Sequence, residues 1–311
     1  MTAEGGEEQA SERTSDVRER ARGRANARMA RRGGDARLPE RAARGGAGRR
    51  FRATVEYDGT EFAGFQLQRG ARTIQGELEA ALARLSGGIR QPVMGAGRTD
   101  AGVHATGQVI GFTYPGSLSA EGLTEALNGN LPPDVAIRDV RRAPAGFNPR
   151  YAARYRDYRY SIWNGPRSPL HERTAHWVRV DLDLAAMARA ATALEGRHDF
   201  SAFGGADPQP VRTVHRIRVR RAGSLVTIDV RADAFLRGMV RRIVGTLLAA
   251  GTGKLEASAV GTLLTAGTPA LDGAAAPAKG LCLRRVVLGR RDWPPGNDSR
   301  DTNENDTGHE D

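Results

Sequence analysis

Along residues 51–57 (FRATVEY) apolar and polar positions alternate, the period of a half-buried strand, and the run stops at the turn pair Asp58-Gly59. From residue 73 the period changes. Thr73 suits a helix N-cap, and Ile74, Leu78, Leu82 and Leu85 then share one helical face up to Gly87-Gly88. Strands are predicted near Val93 and over residues 108–113, a helix over 119–127, and a strand over 135–140 after Pro132-Pro133. The second half repeats the order with longer strands. Residues 154–163 read as a strand and 182–194 as an amphipathic helix, and 213–220 with 225–231 read as a hairpin about Ala222-Gly223. A long helix over 235–250, a shorter one over 258–265 and a strand over 281–288 close the chain. Two β-α-β-β-α-β halves predict an α+β architecture of two ferredoxin-like subdomains, their sheets joined across the middle. Helices on the outer face would leave the other sheet face open to a ligand.

Composition changes this picture at the two ends. The chain has 311 residues and a hydrophobic fraction of 39%, low for a packed protein. Residues 1–49 are rich in Ala, Gly and Arg and hold no aromatic residue, so they are expected to be a disordered basic arm. Residues 293–311, opening on Trp293-Pro294-Pro295 and ending in Asn and Asp, are expected to be a disordered acidic tail. Between them lie the expected subdomains, residues 50–150 and 151–292. No run approaches the ~18 apolar residues of a membrane span. The single cysteine, Cys282, excludes an internal disulfide and Cys-rich zinc sites, and fits a cytoplasmic protein. A formal net charge of +11, from 47 Lys+Arg against 36 Asp+Glu, points to a polyanionic partner.

The densest chemistry lies in residues 94–107, MGAGRTDAGVHATG. A dinucleotide fingerprint would need glycine where Asp100 stands, and a Walker loop needs Gly-Lys-Ser/Thr, so neither fits. What remains is a presented carboxylate with Arg98 two residues away, and a nearby guanidinium favours the ionised, nucleophilic form. A tight turn capped by the Asp side chain is the plainer alternative. Asp58 competes as an acid but reads mainly as turn chemistry before Gly59. His104 reads as a structural histidine, with a base role as the alternative, and the six His assemble neither a metal site nor a Ser-His-Asp set. Tyr158 and Tyr160 alternate with Arg159 on one strand, a pattern that suits base stacking beside phosphate contact. Arg212, Arg216, Arg218 and Arg220 are expected to share one face of another strand. Arg237 and Arg241, four apart on the long helix, offer a partner for Asp100.

Several of these segments together resemble the tRNA pseudouridine synthase A family. They are YDGTEFAGFQLQ (57–68), residues 73–78, GRTDAGVHATGQ (97–108), LNGNLP (127–132), Tyr158-Arg159-Tyr160, DFSAF (199–203), FLRGMVRRIVG (235–245) and GLCL (280–283). The order is the family's, and Phe65 stands where the family often has Trp. The resemblance implies the pseudouridine synthase fold and isomerisation of uridine to pseudouridine at tRNA positions 38, 39 and 40. It implies Asp100 as nucleophile, Tyr158 stacked on the target uracil and Leu281 packed on that base. Arg98 would contact the RNA backbone, and Arg241 would pair with Asp100. It also implies a homodimer around the tRNA anticodon arm, with no metal, cofactor or membrane. Whether Asp100 attacks C1′, attacks C6 or abstracts a proton stays open at this level. A non-catalytic RNA-binding module and a hydrolase using Asp100 with His104 are the competing readings.

Overall fold

The computed structural model describes residues 48–266 and 275–289. The expected arm falls almost wholly outside these residues, and the expected tail entirely so. The first half contains β1 (Arg49–Tyr57), α1 (Ile74–Leu85), β2 (Met94–Gly95), β3 (His104–Tyr114), α2 (Ala120–Asn128) and β4 (Val135–Arg142). Thr73 caps its helix as the sequence predicts, and Ser119, read only as the start of a helix, caps the next. Thr73 Oγ1 accepts from the Gly76 N–H and Ser119 Oγ from the Gly122 N–H, satisfying N–H groups that a first helical turn leaves unbonded. A short helix α3 (Pro149–Ala152) leads into the second half. There follow β5 (Ala153–Trp163), β6 (His176–Trp177), α4 (Leu184–Thr192), β7 (Gly196–Asp199), β8 (Val211–Ala222), β9 (Leu225–Ala232), α5 (Met239–Gly251), α6 (Val260–Ala266) and β10 (Leu281–Leu288).

One mixed sheet runs in the order β4-β1-β3-β10-β5-β9-β8-β7, with β2 also on β3 and β6 also on β5. Each half keeps the ferredoxin-like order: β4-β1-β3-β2 in the first and β10-β5-β9-β8 in the second. The join is at β3, which is longer than the predicted 108–113 for this reason. Its far edge pairs with β2 at Ile110 and Gly111, and with β10, parallel, at His104 and Ala105. Two buried side chains reinforce so short a pairing. The Arg156 guanidinium on β5 donates to Ala96 O (2.7 Å) in the first half and Asp233 O (2.5 Å) in the second. Burial pulls its pKa down, and backbone carbonyls take the place of a carboxylate partner. His104 makes the other link.

Alternation then sorts the sheet into two faces. Phe51, Ala53, Val55 and Tyr57 on β1, Tyr158, Tyr160 and Ile162 on β5, and Val226, Ile228 and Val230 on β9 are buried in one core with Leu78 and Leu82 of α1 and Ile243 and Leu247 of α5. The opposite face of the second half carries charge. Arg159 chelates Asp229 (2.7 and 3.0 Å), and Arg231 chelates Asp157 (2.6 and 2.9 Å). The arginine row on β8 differs from the expected one. The register shifts between Val214 and Arg216, so His215 is an extra residue and the strand changes face there. Arg216, Arg218 and Arg220 stay on the charged face. Arg212 turns away, toward Asp207 (3.4 Å).

Candidate active site

Asp100 lies on the loop between β2 and β3, and that loop is held by its backbone. Gln108 Nε2 donates to Gly97 O (2.9 Å), and the Phe65 N–H donates to Thr99 O (3.0 Å). The Val103 N–H closes a turn on Asp100 O (3.2 Å), and the Gly102 N–H reaches Phe62 O (3.3 Å). Two of the most specific sequence segments, 57–68 and 97–108, are therefore the two sides of one loop cluster. Glycine is required where they touch. A Cβ at Gly59 would come within 2.0 Å of Val103 O, and one at Gly64, whose φ is +105°, within 2.9 Å of Thr99 O.

The carboxylate itself is lightly held. It is 29% exposed, and its nearest charges are Arg241 Nη1 at 3.8 Å and Arg237 Nε at 4.0 Å. Arg241 is fixed in turn, its Nε donating to Ala276 O (2.7 Å) while its own carbonyl accepts the Ala276 N–H (2.9 Å). Tyr160 Oη donates to the next carbonyl, Pro277 O (2.9 Å). The segment entering β10 is thus tied to α5 and β5. Because α5 supplies Arg241, the site opens on the helix side of the sheet, not on the face expected to stay open.

Tyr158 is buried, its ring edge-on to Phe235 at 5.2 Å and 87°. Burial pushes its phenol up, Arg156 opposes this, and the nearby Asp100 adds to the rise, so the hydroxyl stays neutral. Leu281, also buried, opens β10 opposite Tyr160, with Leu283 opposite Tyr158. Asp100, Tyr158 and Arg241 come together, and Leu281 lies on the same sheet face. Arg98 does not pair with Asp100: it is exposed and makes no ion pair with a described residue. Thr99, buried between the two, turns inward, and the neighbouring charge comes instead from the other half of the chain. Phe235 opens the segment 235–245 but takes no role of its own from it, and the Ala276–Pro277 carbonyls carried no local signal in the sequence.

His104 and Asp58 take structural roles. The His104 Nδ1 accepts from the Gly59 N–H (3.1 Å) and sits 3.1 Å from Asp58 Oδ1. Its Nε2 bonds Arg173 O (2.9 Å) and Lys279 O (3.1 Å), both in the second half. With both nitrogens engaged and the ring buried, it has neither the lone pair nor the access of a general base. His104→Ala is expected to cost about 2–4 kcal/mol of stability by orphaning buried partners. Turnover per folded molecule should fall less than about tenfold; a stable but inactive variant would restore the base role. Burial tends to raise Asp58, but the Thr60 hydroxyl and N–H, His104 and Arg173 outweigh it and hold the carboxyl below its ordinary range. The stability it adds is therefore present above that range and lost as pH falls through the depressed value.

Two ferredoxin-like units on one sheet, with an aspartate presented between them beside an arginine and a buried tyrosine, have the architecture of a pseudouridine synthase. Residues 53–152 and 190–287 match the family model described as tRNA pseudouridine synthase. The chain is 43% identical over 244 residues to the tRNA pseudouridine synthase A of Geobacter sulfurreducens, covering 76% of this chain and 99% of that one. It is 42% identical over 241 residues to the protein of that name from Geobacillus kaustophilus, covering 76% and 93%. The chain belongs to the tRNA pseudouridine synthase family. A solved chain in the archaeal box H/ACA sRNP Nop10-Cbf5 complex is 12% identical with a TM-score of 0.27, over 76% of this chain and 57% of that one, a likeness that carries no weight here.

Proposed function

We propose that this chain isomerises uridine to pseudouridine at positions 38, 39 and 40 of tRNA, acting as a homodimer in the cytoplasm. The reading rests above all on one observation: Asp100 has a clamped backbone and a carboxylate with no hydrogen bond from a described residue, facing Arg241 at 3.8 Å. Such a carboxylate is positioned yet free to attack. In the reaction the N1–C1′ bond breaks, the base turns, and a C5–C1′ bond forms. The C5 hydrogen leaves as a proton and N1 gains one, so composition is unchanged and no oxidant or group donor is consumed. Asp100 is the nucleophile acting on a uridine flipped out of the arm. Arg241 stabilises its charge. Tyr158, neutral and rigid, offers a stacking surface that offsets part of the unstacking cost, and Leu281 packs against the same base. Arg98, exposed on the rim of the loop and in no ion pair with a described residue, contacts the RNA backbone.

Mapping pseudouridine in tRNA from cells lacking the protein tests the proposal. Loss at positions 38 to 40 is the expected result, and an unchanged pattern would refute it. A single-chain mass in solution would remove the dimer.

The charge pattern supports a phosphate partner as well. Arg159 and Arg231 are neutralised by aspartates, whereas Arg216, Arg218 and Arg220 make no ion pair with a described residue. Changing these three to Gln together is expected to make the plot of log affinity against log salt shallower by about 2, one counterion being released per phosphate met. An unchanged slope would place the row outside the RNA interface.

A further inference from the structure

Asp100 poses a positioning problem that its own contacts do not solve. Among the described residues its oxygens meet only Arg241 and Arg237, at 3.8 and 4.0 Å, distances beyond a directional hydrogen bond. A misplacement of about 1 Å at a reacting group can cost around a hundredfold in rate, so the aim has to come from elsewhere. The residue before it is the place to look, since the orientation of Thr99 sets where the Asp100 Cα–Cβ bond points.

Thr99 is 6% exposed, and its Oγ1 lies 2.8 Å from the hydroxyl of Tyr57, itself 3% exposed at the end of β1. β1 is central in its half of the sheet, hydrogen-bonded along one edge to β3 and along the other to β4. Gln108 adds to the same cluster from β3. It is fully buried, its Nε2 holds Gly97 O, and its Oε1 has no hydrogen-bond partner among the described residues. Burial pushes the Tyr57 phenol up, against the Thr99 and Gln108 side chains, so the pair is neutral. Neutrality matters beneath a nucleophile, because a charge there would alter the reactivity of Asp100 as well as its place. Apart from the Gln108 side chain on Gly97 O, the other tethers of the loop are main-chain bonds. The hydroxyl pair is the one link to Thr99 that side-chain substitution can remove from either end.

We propose that the Tyr57–Thr99 hydroxyl pair positions Asp100, tying the loop to the sheet so that the unliganded carboxylate keeps its aim. The inference rests on the reading of Asp100 as nucleophile. It makes Tyr57 and Thr99 positioning residues that touch no substrate.

The test is steady-state and single-turnover pseudouridine formation on an unmodified tRNA transcript by the full chain, with thermal unfolding alongside. Thr99→Val and Tyr57→Phe are each expected to lower kcat about 10- to 50-fold with KM for tRNA within about twofold. Thr99→Ser, which keeps the hydroxyl, should retain at least about half of kcat. The double variant should be no worse than the poorer single one, because one bond is broken in all three. Tyr57→Phe decides the matter if Thr99→Val fails to fold. The proposal is overturned by a Val variant with near-normal kcat, by a Ser variant as impaired as the Val variant, or by losses that multiply in the double variant. Asp100→Asn in the same assay separates the two levels. An inactive Asn variant beside a fully active Val variant removes this inference alone, while an active Asn variant removes the nucleophile and this inference with it.

Discussion

Asp100→Asn is expected to lower pseudouridine formation by about 10⁴-fold or more while tRNA affinity changes by less than about threefold. Asparagine keeps the size and shape of the side chain but lacks the anionic oxygen that does the chemistry. The fold has little reason to respond, because the carboxylate is 29% exposed and accepts no hydrogen bond from a described residue. What holds the loop is Thr99 O, Asp100 O, Gly97 O and the Gly102 N–H, none of which the substitution alters. The measurement is the fraction of pseudouridine in transcript RNA against time, with binding followed separately. A variant that binds and does not react excludes a non-catalytic RNA module. Products of unchanged mass from the unsubstituted chain exclude a hydrolase.

The second large effect is expected at Arg241. Arg241→Leu should reduce kcat by about 10²–10³-fold, the usual loss when one pre-oriented charge is removed from a reacting group. Two structural facts make it large. Arg241 is only 25% exposed, so its attraction to Asp100 is less screened than a surface pair's, and the Ala276 carbonyl holds its guanidinium in place. Arg241→Lys keeps the charge and should recover part of the loss, though a point ammonium does not reproduce a guanidinium that binds Ala276 and faces Asp100 together. Arg237 provides the contrast. It lies almost as near, at 4.0 Å, but is 90% exposed, so solvent screens it and Arg237→Gln should leave kcat within about threefold. A kcat for Arg241→Leu within threefold of the unsubstituted chain would end the electrostatic role.

The difference between these two arginines marks how far the sequence could be read. Four residues apart on one predicted helix, they look equivalent. The helix in fact begins at Met239, after Gly238 with φ of +72°, so Arg237 lies on the approach and Arg241 on the first turns. The same limit appears on β8, where strict alternation groups Arg212 with Arg216 until the bulge at His215 separates them. The two-residue β6 and the polar β7 have too little pattern to be read at all, and the two-residue β2 is legible only as a strand near Val93; all three exist because a longer neighbour offers them an edge.

What the sequence determined by itself is local: the strands β1, β5, β9 and β10, the cap at Thr73, and the glycine-rich loop presenting Asp100. Propensity, capping and periodicity act over a few residues and are therefore written in order along the chain. Tertiary structure alone decided which partners those residues meet. It brought Arg241 to Asp100 in place of Arg98, and set His104 between the halves with both nitrogens bonded. It also put the site on the helix side of the sheet. Each of these is a contact between residues far apart in the chain, created only when β10 pairs with β3 and closes two similar units into one sheet.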